Sequence, residues 1–91
     1  MKQTAGRDNL GKLAPKFAEL NDDVLFGEVW SREDKLSLRD RSMITISALM
    51  AQGLFAQLEA HFMLGKEHGI TKEETVEIMT QLSFYTGWPK A

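Results

Sequence analysis

His61 occupies a position that suits proton transfer. On a helical wheel of about 100° per residue, it lies at the edge of an apolar arc, beside Gln57 and His68. The arc consists of Leu54, Phe55, Leu58, Phe62 and Gly65. Burial and neighbouring charges can bring the pKa of a histidine at such a boundary close to the working pH. We therefore predict a proton-transfer role for His61, the alternative being a histidine that only packs at an interface.

A second group of candidate residues is the sequence Arg39-Asp40-Arg41, at the predicted start of a buried helix. A guanidinium can hold a carboxylate through two parallel hydrogen bonds, and a helix N-terminus favours anions. The pattern indicates a carboxylate-binding site at Arg39 and Arg41. The alternative is that these charges are solvated or paired locally.

Glu28, Trp30 and Arg32 lie close together just before a polar loop over residues 31–35. They could form one wall of an active site, or a packing anchor with a surface ion pair. His61 and His68 are too far apart to share a metal ion, because seven residues correspond to roughly 10 Å of helix. We predict no metal site and no cofactor.

The composition excludes several classes of protein. The 91 residues contain no cysteine, which rules out disulfides, cysteine-ligated metals and thiol nucleophiles. A net charge of −2 gives no basic surface for nucleic acid. The sequence has neither a secretory h-region near its start nor an apolar run of about 20 residues. We therefore expect a soluble cytoplasmic protein that binds neither membranes nor nucleic acid.

The elements that must position these side chains are all predicted to be helical. Residues 1–9 are polar and predicted to be flexible, and one domain is expected over residues 10–91. Apolar residues at steps of three and four predict helix over residues 10–30, with Pro15 in a first turn. Residues 21–23 are predicted to break this helix or to cap a second one.

Capping signals define the later helices. Ser37 with Asp40 predicts a helix start, and Gly53 predicts its end. A further helix is predicted over residues 54–68, with Gly69 as its left-handed cap. Thr71 with Glu74 forms a capping-box pattern that starts a helix over residues 72–85.

The central helix is apolar nearly all round over residues 43–51. A helix of that kind must be covered on most sides, and a chain of this length has few elements with which to cover it. Phe84, on the polar side of the last helix, predicts a subunit contact. We therefore expect a homo-oligomer.

Several short segments together resemble the carboxymuconolactone decarboxylase family. The resemblance covers roughly residues 26–91 and depends on the order and spacing of its pieces. These are residues 27–32 (GEVWSR), 36–42 (LSLRDRS), 51–53 (AQG), 59–61 (EAH) and 84–89 (FYTGWP). It implies an all-α subunit, an alkylhydroperoxidase-like orthogonal bundle, that is completed by assembly into a trimer or hexamer.

The family has two relevant branches. The alkylhydroperoxidase-like branch carries a Cys-x-x-Cys pair ahead of a histidine and a glutamate upstream. Aligned on His61, these residues would fall at Leu54, Gln57 and near Ser42, so all are replaced. Thiol peroxidase activity is therefore not expected.

The decarboxylase branch lacks the cysteines and keeps the histidine. The resemblance implies cofactor-free loss of CO₂ from a carboxylated lactone such as 4-carboxymuconolactone, with His61 transferring the proton. Glu28 is expected to orient the histidine. Arg39 or Arg41 is expected to contact the carboxylate, while Trp30 and Trp88 exclude water. The alternatives are a non-catalytic or ligand-binding oligomer, or the same fold acting on another small acid.

Overall fold

The computed structural model describes residues 2–91, in which every regular element is helical. Helix α1 spans Ala5–Leu10, and α2 spans Pro15–Glu19 and continues directly into a π-helical segment, Leu20–Val29. Three longer helices follow, α3 (Leu38–Gln52), α4 (Phe55–Glu67) and α5 (Lys72–Thr86). The all-α prediction is confirmed for the described residues. Completion of the bundle by further subunits stays a prediction.

The chain divides into two compact units, one ending at Ser37 and the other spanning Leu38–Ala91. The sequence pattern predicts a flexible segment over residues 1–9 followed by one domain over residues 10–91. In the structure, residues 5–9 of that segment belong to α1, which ends at Leu10. As predicted, Pro15 lies at the start of a helix, where its missing N–H is not needed.

Asp22 organises the first unit. Its side chain is buried and accepts hydrogen bonds from the N–H groups of Gly6 and Arg7, both at 2.9 Å. The prediction that residues 21–23 break the helix or cap a following one is wrong. They lie inside the π-helical segment. Asp22 instead accepts hydrogen bonds from N–H groups in the first turn of α1, where Gly6 lies 16 residues earlier in the chain.

The surroundings of Asp22 favour its charged form. Burial raises the pKa of Asp22, but hydrogen bonds from the Asn21 side chain and from the N–H groups of Arg7 and Gly6 outweigh burial and hold it below its ordinary value. A Cβ on Gly6 would lie 2.7 Å from Asp22 Oδ1, so the close approach requires glycine.

The helix ends of the second unit follow the predicted signals. Gly53 and Gly69 terminate α3 and α4 with φ of 73° and 94°, a backbone region that favours glycine. The capping box of α5 is also confirmed. Glu74 N–H donates to Thr71 Oγ1 at 3.1 Å, and Thr71 N–H donates to Glu74 Oε1 at 3.0 Å.

The core of the second unit lies mainly between α3 and α4. Its buried members are Ile46, Met50, Leu58 and Ile70. Partly buried side chains surround them, namely Met43, Leu49, Phe62, Ile78, Met79 and Leu82. No helix within residues 2–91 is both long enough and apolar enough to span a bilayer.

Candidate functional site

The hairpin of α3 and α4 positions three of the predicted site residues, Arg39, Arg41 and His61. The two helices approach closely at Gly65, where a Cβ would lie 3.0 Å from Ile46 Cδ1. Ser42 Oγ and His68 Nδ1, 2.7 Å apart, join the start of α3 to the end of α4. These two contacts fix which residues of the antiparallel helices face each other.

The pairing of Ser42 with His68 was not predicted. The helical wheel places His68 on the same edge as His61, but its partner lies 26 residues away and is brought near only by the folded hairpin. Ser42 is fully buried, so its hydroxyl is closed to a substrate. We interpret the pair as a structural tie that satisfies a buried hydroxyl.

His61 lies on the buried side of α4, between Leu58 one turn before it and Gly65 one turn after it. The residue is half-buried and its Nδ1 atom is buried. Burial lowers the pKa of His61 below its ordinary value. The imidazole is therefore mostly neutral at pH 7, and its protonated form is a stronger acid than an exposed histidine.

Arg39 and Arg41 lie in the first turn of α3, and both are half-buried. Arg39 forms an ion pair with Glu74 of α5. Its Nη1 atom also lies 3.9 Å from Asp40 Oδ1. Glu74 uses its other carboxylate oxygen in the capping box of α5. The guanidinium of Arg39 therefore already holds a carboxylate, one that belongs to the protein itself.

Along the hairpin, His61 is separated from the two arginines. The contacts of Ser42 with His68 and of Ile46 with Gly65 place His61 opposite residues 49–50. This level is roughly 12 Å along α3 from Arg41, at 1.5 Å per residue. Helical side chains lean toward their own N-terminus, which carries the arginines and His61 further apart.

The remaining predicted residues are divided between the two units. Glu28 is exposed on the π-helical segment, whereas Trp30 is buried in the first unit with its ring stacked on Phe26 at a centroid distance of 5.8 Å. In the second unit, Trp88 is 65% exposed and packs edge-to-face against Phe84 at 5.2 Å.

A groove of about 550 Å³ runs between α3 and α5. Its lining combines apolar side chains with three glutamates: Met43, Ser47, Glu73, Glu74, Glu77, Ile78, Gln81 and Leu82. The negative charge disfavours an anionic ligand in this groove. Neither His61 nor the arginines line it.

The sequence profile of the carboxymuconolactone decarboxylase family matches residues 15–91. This chain belongs to that family. The match includes all six predicted site residues, from Glu28 to Trp88.

A curated relative is the 4-carboxymuconolactone decarboxylase of Acinetobacter baylyi, which is 34% identical over 82 residues. The aligned region covers 90% of this chain and 60% of the length of that relative. No solved structure gives a significant match.

Family membership and the absence of cysteine together limit the kinds of reaction that these residues can support. The 91 residues contain no cysteine, so they supply no thiol nucleophile for peroxide reduction. Two histidines lie on this edge of α4, and of these His68 is paired with the buried Ser42 hydroxyl, which leaves His61 as the candidate for proton transfer. Acid–base chemistry at an imidazole is what the described geometry can support.

Proposed function

We propose that this protein catalyses the cofactor-free decarboxylation of a small carboxylated lactone, such as 4-carboxymuconolactone, with His61 transferring a proton. Family membership supports this proposal. The observation that carries it is the half-buried imidazole of His61, whose pKa is lowered by burial.

The reaction needs one acid. When the C–C bond to the carboxylate breaks, CO₂ leaves and the bonding electron pair stays on carbon, delocalised into the lactone carbonyl as an enolate. The imidazolium of His61 then donates its proton to a carbon of that enolate, and the neutral imidazole takes up a new proton from water. A partly desolvated site strengthens the imidazolium as an acid and disfavours the charged carboxylate that is lost.

Arg39 or Arg41 is proposed to contact the substrate carboxylate, and Glu28 to orient the imidazole. Because the arginines and His61 are separated along one hairpin, we propose that the site is completed by another subunit of a trimer or hexamer. The exposed ring of Trp88 would serve as an apolar wall. Trp30 is buried against Phe26 and is better explained by packing.

The experiment compares His61→Gln with His68→Gln, a matched change on the same edge of α4. Turnover of 4-carboxymuconolactone is followed by the loss of its ultraviolet absorbance. We expect His61→Gln to lower kcat by about 10²-fold or more, as for loss of a general acid, while His68→Gln retains turnover. Equal rates for wild type and His61→Gln, with the oligomer intact, would rule out the proposed role.

A second candidate is a ligand-binding oligomer without catalysis. Two observations favour it. The α3–α5 groove is lined by apolar side chains and glutamates, and the guanidinium of Arg39 is already paired with Glu74. This alternative predicts no turnover of 4-carboxymuconolactone or of related small lactone acids by the wild-type oligomer. Turnover of a different acid, lost in His61→Gln, would instead assign the same chemistry to another substrate.

A further inference from the structure

A separate cavity of about 430 Å³ lies where the end of α4 meets the first half of α5. It is lined by Phe62, Lys66, Ile70, Thr71, Lys72, Thr75 and Val76. Its volume falls within the range of small-molecule sites. Unlike the α3–α5 groove, it has a charged lining that is entirely cationic.

The floor of this cavity is apolar. Ile70 is a buried member of the core and Phe62 packs against that core. Val76 is 52% exposed and adds apolar surface at the mouth. A ligand with a flat or compact apolar body could bury that body on these three side chains.

The rim of the cavity carries two ammonium groups. Lys66 lies in the last turns of α4, and Lys72 is the first residue of α5. Both are exposed, and within residues 2–91 neither forms an ion pair. Two unpaired ammonium groups beside an apolar floor match a ligand that is anionic at one end.

The two threonine hydroxyls of the lining already form hydrogen bonds within the protein. Thr71 accepts from Glu74 N–H in the capping box, and the Thr75 hydroxyl donates to the Thr71 carbonyl at 3.1 Å. Backbone N–H groups at the start of α5 are therefore already hydrogen-bonded to side chains of the capping box. The two lysines, and not the helix terminus, supply the attraction for an anion.

We propose that this cavity binds a small carboxylate with an apolar body. The site goes beyond the proposed function, because it lies on a different flank of α4 from His61. Lys66 follows His61 by five residues, which is an angular separation of about 140° on the helix. Binding here needs neither the imidazole nor the arginines of the proposed reaction.

The test uses 4-phenylbutyrate as the probe and 4-phenylbutyramide as its uncharged analogue, with binding followed by amide chemical shifts in two-dimensional NMR. We expect 4-phenylbutyrate to shift the amides of Thr71, Lys72 and Val76 and to bind about tenfold more tightly than the amide. The double variant Lys66→Gln/Lys72→Gln should weaken binding of the acid about tenfold, with each single variant giving part of that loss.

Lys12→Gln/Lys35→Gln is the control, because it removes the same charge from exposed lysines that do not line the cavity. It should leave the Kd unchanged, as should His61→Gln. Equal weakening by the control, equal affinity for acid and amide, or shifts confined to residues outside the cavity would each overturn the proposal. Because Lys66 and Lys72 take no part in the proposed reaction, their variants should keep decarboxylase turnover. A failure of the binding site is thus distinguishable from a failure of the proposed function.

Discussion

Burial affects the imidazole of His61 in two opposing ways. It makes the protonated ring a stronger acid, and it also makes that form less abundant at neutral pH. A donor with a lowered pKa works best on the acidic side of neutrality, because its protonated fraction falls as the pH rises through the pKa. We therefore expect kcat of the wild type to decline with rising pH across that range.

The same lowered pKa makes folding stability depend on pH. The unfolded chain binds a proton at His61 near pH 6.5, before the folded protein does, so protonation favours unfolding. The stability due to neutral His61 is present above that pH and is lost as the pH falls through the folded pKa. Denaturant unfolding should show stability falling more steeply from pH 7 to 5 in wild type than in His61→Gln. Parallel curves would contradict the buried placement of the ring.

The ion pair of Arg39 with Glu74 allows a test of which group binds the substrate. Glutamine can keep a capping box, so Glu74→Gln removes the charge while retaining the cap of α5. If Arg39 contacts the substrate carboxylate, losing the competing carboxylate should lower KM about threefold to tenfold, with kcat little changed. Glu73→Gln, a neighbouring acid without an arginine partner in the described structure, is the control. Identical KM values in the two variants would leave Arg41 as the proposed contact.

At the scale of helices, the approach of α3 to α4 is limited by Gly65. Alanine there would gain helix propensity, but its Cβ would meet the terminal methyl groups of two buried isoleucines, Ile46 and Ile70, at 3.0 and 3.2 Å. We expect Gly65→Ala to lower the free energy of unfolding by about 1 kcal/mol, measured by denaturant titration.

Ile46→Val provides the matched control, because it removes the methyl group nearest to the added Cβ. Alone it should cost about 1 kcal/mol through lost burial. The double variant Gly65→Ala/Ile46→Val should be less destabilised than the sum of the two single variants. Simple additivity would show that the helices separate without a clash at this contact.

The helical elements could be predicted where the determining residues are close in sequence. Gly53, Gly69 and the Thr71–Glu74 capping box each act within a few residues, and the structure has them as expected. The cap that Asp22 gives α1 and the tie between Ser42 and His68 could not be predicted, because each joins residues 15 or more positions apart. For the same reason, the pairing of Arg39 with Glu74 was missed.

For the whole molecule, the second unit exposes large apolar side chains that favour association. Phe84, Tyr85 and Trp88 are 72%, 77% and 65% exposed near the end of α5, and Ile44 is 59% exposed on α3. Exposed aromatic side chains of this kind are typical of subunit contacts. Light scattering should show a trimer or hexamer for the wild type.

Phe84→Glu should shift the protein to smaller species, because a charge buried in an apolar contact is costly. Ala60→Glu adds the same charge at an exposed position of α4 and should leave the molar mass unchanged. A wild-type protein that stays monomeric at all concentrations would remove the subunit-completed site from the proposal.

Glu74 lies at a junction of the second unit, since one of its oxygens holds the first turn of α5 while the other holds Arg39. An anion that draws Arg39 away leaves that carboxylate with less to keep it in place, so the first turn of α5 opens to water more often. We therefore expect an anion bound at the start of α3 to speed hydrogen–deuterium exchange at Glu74 and Thr75. Binding at Arg39 would then be detected at Glu74, which lies 35 positions further along the chain.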